Sequence, residues 1–253
     1  MTAGLVGRAA LVTGAAGGIG RAIVEGLAAA GVDVAVADLD LDAATEVARE
    51  VGATAKGTVV PVRMDVASAE SVTAALATVT SAIVAVEILV NNAGIDVIEP
   101  FVASTEPTWR RIVEVNYLGT VIVTRAVLDG MVERGYGRIV NIASDAGKVG
   151  SSGEVVYSGT KGAVIAFGKA LAREVARKGV TVNAVCPGPT DTALLKQVAD
   201  RSPTMMDAIA RAVPMKRIGT PADIAPAVVF FAGDGAAYIT GQALSVSGGL
   251  TMS

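Results

Sequence analysis

The stretch Ala9-Ala10-Leu11-Val12-Thr13-Gly14-Ala15-Ala16-Gly17-Gly18-Ile19-Gly20-Arg21 reads as a strand that runs into a glycine-rich turn and leaves it as a helix. Glycines at 14, 18 and 20 let the backbone turn sharply and approach a pyrophosphate with no Cβ in the way. The free N–H groups of the following helix then face that anion. A glycine cluster alone is a weak signal, because an ordinary strand-to-helix turn satisfies it. The next strand ends in Asp38, 18 residues beyond Gly20. A carboxylate there accepts both hydroxyls of an adenosine ribose and repels a 2′-phosphate. Ala16, Gly17 and Leu39 offer no cation to hold such a phosphate. Turn and acid together predict NAD rather than NADP, held around Gly14, Gly17, Gly18, Ile19, Gly20, Asp38 and Leu39. A helix cap is the other reading of Asp38 taken alone.

Outward from that stretch, two kinds of segment alternate. Short runs rich in Val, Ile and Leu lie at 9–13, 32–38, 59–66, 88–91, 138–142, 180–186 and 243–246. They are apolar almost throughout, as strands covered on both faces are. Stretches with helical spacing lie at 18–30, 41–51, 70–85, 108–134, 155–178 and 221–233. The alternation predicts an α/β fold, a parallel sheet with helices on both faces. No linker composition or low-complexity tract divides the chain, so one domain over 1–253 is the simpler account. Between Thr190 and Pro221 the rhythm breaks into two helical pieces punctuated by Pro203, Pro214 and Pro221, which reads as a cover over a site. Met205, Met206 and Met215 there either line an apolar pocket or simply pack.

Composition excludes several chemistries. The 253 residues include no histidine and one cysteine, Cys186. A Ser-His-Asp triad, a histidine-ligated metal, imidazole proton transfer and an internal disulfide are therefore ruled out. No metal is expected. Cys186 reads as a small buried thiol rather than a nucleophile. Net charge is −3 with no basic block, which argues against nucleic acid as a partner. Mean hydropathy is high at +0.55. Yet the uncharged run 235–253 is diluted by Gly, Ser, Thr and Gln, so no membrane span is expected there. The amino-terminal residues show no basic region followed by an apolar stretch. A cytoplasmic location is the expectation.

Catalysis without histidine must use another proton carrier. Tyr157 and Lys161 lie four apart on one face of a segment with helical pattern. The pair arises by chance often enough to be only moderately specific. Its weight comes from chemistry, since tyrosine titrates near 10 and is a poor base at neutral pH. A neighbouring ammonium and an oxidised nicotinamide would stabilise the phenolate by the about 3–4 kcal/mol that activation needs. Thirteen residues before Tyr157, Ser144 stands at the end of a strand, where ligands collect in such sheets. It either holds a substrate oxygen beside the phenol or caps the next turn.

Thr13-Gly14, Gly18 and Gly20, Asn91-Asn92-Ala93-Gly94, Ser144, Tyr157 with Lys161, and Pro187-Gly188 occur in that order at spacings that resemble the short-chain dehydrogenase/reductase family. The resemblance covers essentially the whole chain. It implies a single-domain Rossmann-type, doubly wound parallel sheet of seven strands. It also implies a catalytic group of Asn116, Ser144, Tyr157 and Lys161. In it the tyrosine exchanges the proton and the serine orients the substrate. The lysine binds the nicotinamide ribose and lowers the tyrosine pKa, while the asparagine holds a relay water. By position, Asp65 and Val66 would contact adenine, and Asn92, Ala93 and Gly94 would pass the adenosine ribose. Pro187, Gly188, Thr190 and Thr192 would hold the carboxamide. A homotetramer built through the 108–134 and 155–178 helices is implied as well.

Within the family, the segments 141–154, 186–195 and 240–252 resemble the 2-hydroxycyclohexanecarboxyl-CoA dehydrogenase branch, which implies NAD-dependent oxidation of a ring 3-hydroxyacyl-CoA thioester. Ile95 and the stretch 201–212 depart from that branch. A 3-oxoacyl-carrier-protein reductase is the alternative, and a non-catalytic dinucleotide sensor the more distant one. Lys196, Arg201, Arg211, Lys216 and Arg217 either attract coenzyme A phosphates or form a solvated face. Glu154 either reaches the substrate pocket or caps the helix that carries Tyr157.

Overall fold

Ala9–Thr13 forms β1, an inner strand of the computed structural model, which describes residues 4–83, 85–192, 195 and 203–253. Ala10 and Val12 enter one hydrophobic layer, whereas Ala9 and Leu11 enter the other. Alternate side chains of a strand point to opposite faces, so a strand buried on both must be apolar throughout.

The chain then alternates: α1 (Gly18–Ala29), β2 (Asp33–Asp38), α2 (Leu41–Gly52), β3 (Val59–Arg63), α3 (Ala69–Ala82) and β4 (Ile88–Asn91). It continues through α4 (Glu106–Val113), a π-helical turn (Glu114–Leu118), α5 (Gly119–Arg134), β5 (Gly137–Ile142), α6 (Ala146–Val149), α7 (Val155–Val175) and β6 (Val180–Pro187). Helices α8 (Pro203–Ala212) and α9 (Pro221–Ala232) precede β7 (Ala243–Val246). All seven strands are parallel, in the order β3-β2-β1-β4-β5-β6-β7. The order reverses between β1 and β4, and ligands collect beyond the carboxyl ends of strands at such a switch point.

One face of the sheet is covered by α1, α2 and α9 through Ile23, Leu27, Val47, Ile224 and Val228. The other is covered by α3, α5 and α7 through Val72, Val79, Val123, Met131 and Leu171. The expected fold class is the observed one, with three local differences. The run 59–66 leaves the sheet at Arg63, so Asp65 and Val66 stand beyond the strand tip. The outer strands β3 and β7 are only partly covered, unlike the central five. The 108–134 segment is interrupted at Glu114–Leu118, where hydrogen bonds run five residues apart. Glu106–Arg134 is as a whole long and apolar enough to cross a bilayer. Here its Ile112, Val115, Val123 and Val127 are buried in the protein.

Candidate active site

The glycine turn is tied to the tip of β4 before any ligand arrives. Asn92 Nδ2 donates to the carbonyls of Thr13 at 3.0 Å and Gly14 at 2.8 Å, while Thr13 Oγ1 accepts from the backbone of Asn92 and Ala93. The turn also has no room for side chains: a Cβ on Gly20 would lie 2.1 Å from the Gly14 carbonyl oxygen. Gly14 and Gly18 adopt φ of 60° and 52°, in the left-handed region that favours glycine. Above Gly17 there is open space, and its side has no capping oxygen for the first amides of α1. Ile19 packs against the core at the start of that helix. Such a cradle, open on one side and lined by backbone, suits a pyrophosphate.

Asp38 completes the cradle. Its Oδ2 accepts the Ala16 N–H at 2.9 Å and its Oδ1 the Asp40 N–H at 3.2 Å. It is Asp40, not Asp38, that caps α2, accepting from Ala43 N. The carboxylate is thus held at the turn, with exposed Leu39 beside it. Strand register also sets Arg63 of β3 opposite Asp38, a neighbour that sequence spacing does not reveal. Asp65 accepts from Ala67 N through its side chain, and Val66 is buried against Gly119 of α5. On the far side, Thr190 Oγ1 donates to the Gly188 carbonyl at 2.9 Å. Pro187 ends β6. The Thr192 methyl lies 3.6 Å from where a Gly18 side chain would point. The segment after β6 therefore reaches the glycine turn.

The tip of β5 and the first turns of α7 bring the proton-carrying group together. The Ser144 hydroxyl acts on Tyr157 to lower its pKa, and its Oγ accepts from Ala146 N at 3.1 Å. Lys161 Nζ lies 5.6 Å from the Tyr157 ring centre and donates to the Ile142 carbonyl at 2.9 Å. Helix α6 reaches α7 because Gly147 has no side chain: a Cβ there would lie 2.6 Å from the Lys161 carbonyl carbon. Lys161 is wholly buried, and loss of water pulls its pKa down to about 8. Burial pushes the Tyr157 phenol up, opposed by Ser144 and reinforced by Glu154 and Asp96. Desolvation is the largest influence on Tyr157 in the protein alone, whereas the expected depression calls on the nicotinamide charge as well as Lys161.

Asn116 sits in the π-helical turn and spends its amide on the next loop. Its Oδ1 accepts from Ile95 N and its Nδ2 donates to Ile95 O, both at 2.8 Å. Its carbonyl accepts from Thr120 Oγ1. The side chain thus fixes the backbone ahead of Asp96, a residue that motif reading missed. Only its place two residues after Gly94 hinted at the site. Asp96 and Glu154 line a cleft together with Tyr157, Trp109 and Phe101. Glu154 makes no capping bond to α7, which decides between its two readings in favour of the pocket. Trp109 stacks on Phe101 at 5.4 Å and donates to Ser104 Oγ.

Met206 and Met215 are not among the lining residues of this cleft. The Met205 side chain, Lys196 and Arg201 lie outside the described residues. Arg217 is engaged by both oxygens of Asp223, at 2.6 and 2.7 Å. Cys186 is fully buried, and burial pushes its thiol up to about 11.

The profile of a family described as enoyl-(acyl carrier protein) reductase matches residues 14–251. The chain belongs to the short-chain dehydrogenase/reductase family. This short-chain dehydrogenase/reductase is 40% identical to the 3-oxoacyl-(acyl-carrier-protein) reductase of Vibrio harveyi over 250 residues, covering 98% of this chain and 99% of that one. It is 40% identical to the enzyme of the same name from Escherichia coli K12, covering 97% and 98% of the two chains. A crystal structure described as a putative gluconate dehydrogenase from Agrobacterium tumefaciens superposes with a TM-score of 0.92 at 32% identity, covering 97% of this chain and 96% of that one. These likenesses make the protein an oxidoreductase of the family. They favour the carrier-protein reductase alternative over the expected ring-substrate CoA dehydrogenase branch.

Proposed function

We propose that this oxidoreductase reduces a 3-oxoacyl thioester to the 3-hydroxyacyl thioester, using NADH, in the manner its carrier-protein-reductase relatives are named for. The observation that carries the reading is the Ser144–Tyr157–Lys161 group beside a glycine turn that fits a dinucleotide. A nicotinamide dinucleotide held there supplies the hydride and, when oxidised, a positive charge near Tyr157. Gly14, Gly17, Gly18, Ile19, Gly20 and Asp38 would hold its adenosine half, with Asp65, Val66, Asn92, Ala93 and Gly94 beside them. Lys161, Pro187, Gly188, Thr190 and Thr192 would hold the nicotinamide half.

The residues divide the remaining work. Ser144 donates to the carbonyl oxygen of the substrate and sets it beside the phenol. Tyr157, kept in its protonated form by burial, donates its proton to that oxygen as negative charge develops there. Lys161 compensates the phenolate that is left. Asn116 keeps the Gly94–Asp96 loop in place behind this group. In the oxidative direction the same phenolate accepts the hydroxyl proton.

The NAD(H) preference rests on Asp38, whose carboxylate, held at the glycine turn by the Ala16 N–H, would repel a 2′-phosphate. That observation also favours a second reading, the NAD-dependent oxidation of a 3-hydroxyacyl-CoA, because such oxidations draw on NAD. A homotetramer in a cytoplasmic setting accompanies both readings.

The test follows absorbance at the reduced-nicotinamide band with acetoacetyl thioesters of carrier protein and of coenzyme A, each with NADH and NADPH. Oxidation of NADH with the carrier-protein thioester, lost by about 100-fold or more in Tyr157→Phe while dinucleotide still binds, is expected. Preference for NADPH would overturn the Asp38 reading and direct attention to Arg63. Turnover of the CoA thioester alone would favour the second reading.

A further inference from the structure

The cleft over Tyr157 takes three carboxyl groups into its wall, those of Asp96, Glu99 and Glu154, and among the described residues no lysine or arginine lines it. Asp96 is 8% exposed, and its Oδ2 has no hydrogen-bond partner. Its Oδ1 accepts the Val97 N–H at 2.8 Å. An orphaned buried acceptor is costly, so a group of this kind is a candidate for a ligand's attention. Burial, with the Glu154 carboxyl in the same cleft wall, raises the Asp96 carboxyl to about 7. Two carboxyls on one wall make that wall unfavourable for a further negative charge. From α7 the pair is faced by Tyr157 and Lys161, and from the loop after β4 by Glu99. The Lys161 ammonium is held away on the Ile142 carbonyl. The field in the cleft is therefore acidic up to the edge of the reacting group.

We propose that Asp96 and Glu154 select the substrate by charge, admitting an uncharged group beside Tyr157 and refusing a free carboxylate. The inference rests on the thioester reading and adds its physical reason. In a 3-oxo acid the carboxylate lies two carbons from the carbonyl that reacts, and a thioester removes exactly that charge while keeping the carbon skeleton. The pair sets the specificity, and Ser144 and Tyr157 perform the chemistry.

Trp109, the one tryptophan of the sequence, lines the same cleft, so its emission reports ligand entry without turnover. Acetoacetate and ethyl acetoacetate are titrated into the wild-type protein, Glu154→Gln and Asp96→Asn at mildly alkaline pH. The wild type should bind the ester about tenfold or more tightly than the anion. Each variant should bring that ratio toward one by gaining affinity for the anion. Glu154→Gln, at a half-buried position, covers the case in which Asp96→Asn fails to fold. Equal binding of the two ligands by the wild type, binding of neither, or an unchanged ratio in the folded variants would overturn the proposal. Turnover measured on the same samples keeps the two readings apart. Selective binding without turnover removes the reductase reading and leaves charge selection standing, whereas turnover with unselective binding does the reverse.

Discussion

At the scale of single residues, the site is governed by what burial does to ionisable groups. Tyr157 is pushed up, Lys161 falls to about 8 and Asp96 rises to about 7. The Asp96 shift bears on stability with a definite sign. Its folded value lies above the ordinary carboxyl value of 3.8, so its contribution is complete below that value and is lost as pH rises through about 7. Asp96→Asn removes this loss and keeps an acceptor for Val97 N–H. Its melting temperature relative to wild type should therefore be higher at about pH 8 than at about pH 4, by a few degrees, since each kcal/mol is worth about 2–4 °C in a chain of this size. Calorimetry at the two pH values checks it, and a constant difference would show that Asp96 does not titrate in this range.

At the scale of elements, contacts between backbones carry the geometry. Helix α6 lies against α7 only because Gly147 presents no side chain to Lys161. Gly147→Val should push α6 outward, separate Ser144 from Tyr157 and lower kcat more than it raises KM, as steady-state kinetics would show. Retention of full kcat would show that α6 does not position Ser144. A different element is fixed by charge. Asp223 in the first turn of α9 accepts from Thr220 N at 2.7 Å, Thr220 Oγ1 at 2.8 Å and both Arg217 nitrogens. These bonds hold its carboxyl well below the usual range, so its contribution is present at neutral pH and is lost as pH falls into the acid range. Asp223→Ala should lower the melting temperature by about 2–4 °C at neutral pH, corresponding to about 1 kcal/mol for a lost cap. The deficit should shrink in acid, and added salt should reduce the Arg217 part of it.

At the scale of the whole molecule, the sheet places two half-sites on either side of the point where strand order reverses. The glycine turn follows β1 and Asp38 ends β2, while Ser144 follows β5 and Pro187 ends β6. A dinucleotide long enough to span β2 to β6 would unite them. Apolar residues remain exposed on the segments through which the family resemblance implies assembly, among them Val113, Leu118 and Val155. We expect light scattering to give four times the 25.3 kDa chain mass, and a monomer would contradict that expectation.

How much was legible in the sequence follows from the range of each interaction. The strands 9–13, 88–91 and 243–246 were readable to the residue, because continuous apolar runs and glycine or proline boundaries are local signals. The motif residues around the glycine turn and Tyr157–Lys161 were readable for the same reason: each chemistry demands particular side chains at short spacing. The end of β3 at Arg63 and the π-helical turn at Asn116 were not, since both answer packing across the sheet, where Val66 meets Gly119. The same holds for the Asp96–Glu154 pair, whose partners are 58 residues apart and meet only because β4 and α7 deliver their ends to one cleft. By itself the sequence determined the fold class and singled out the glycine turn and the Ser144, Tyr157 and Lys161 side chains. Only the tertiary structure decided which carboxyls line one cleft and which groups burial shifts, because proximity across long chain separations and exclusion of water are properties of the packed molecule.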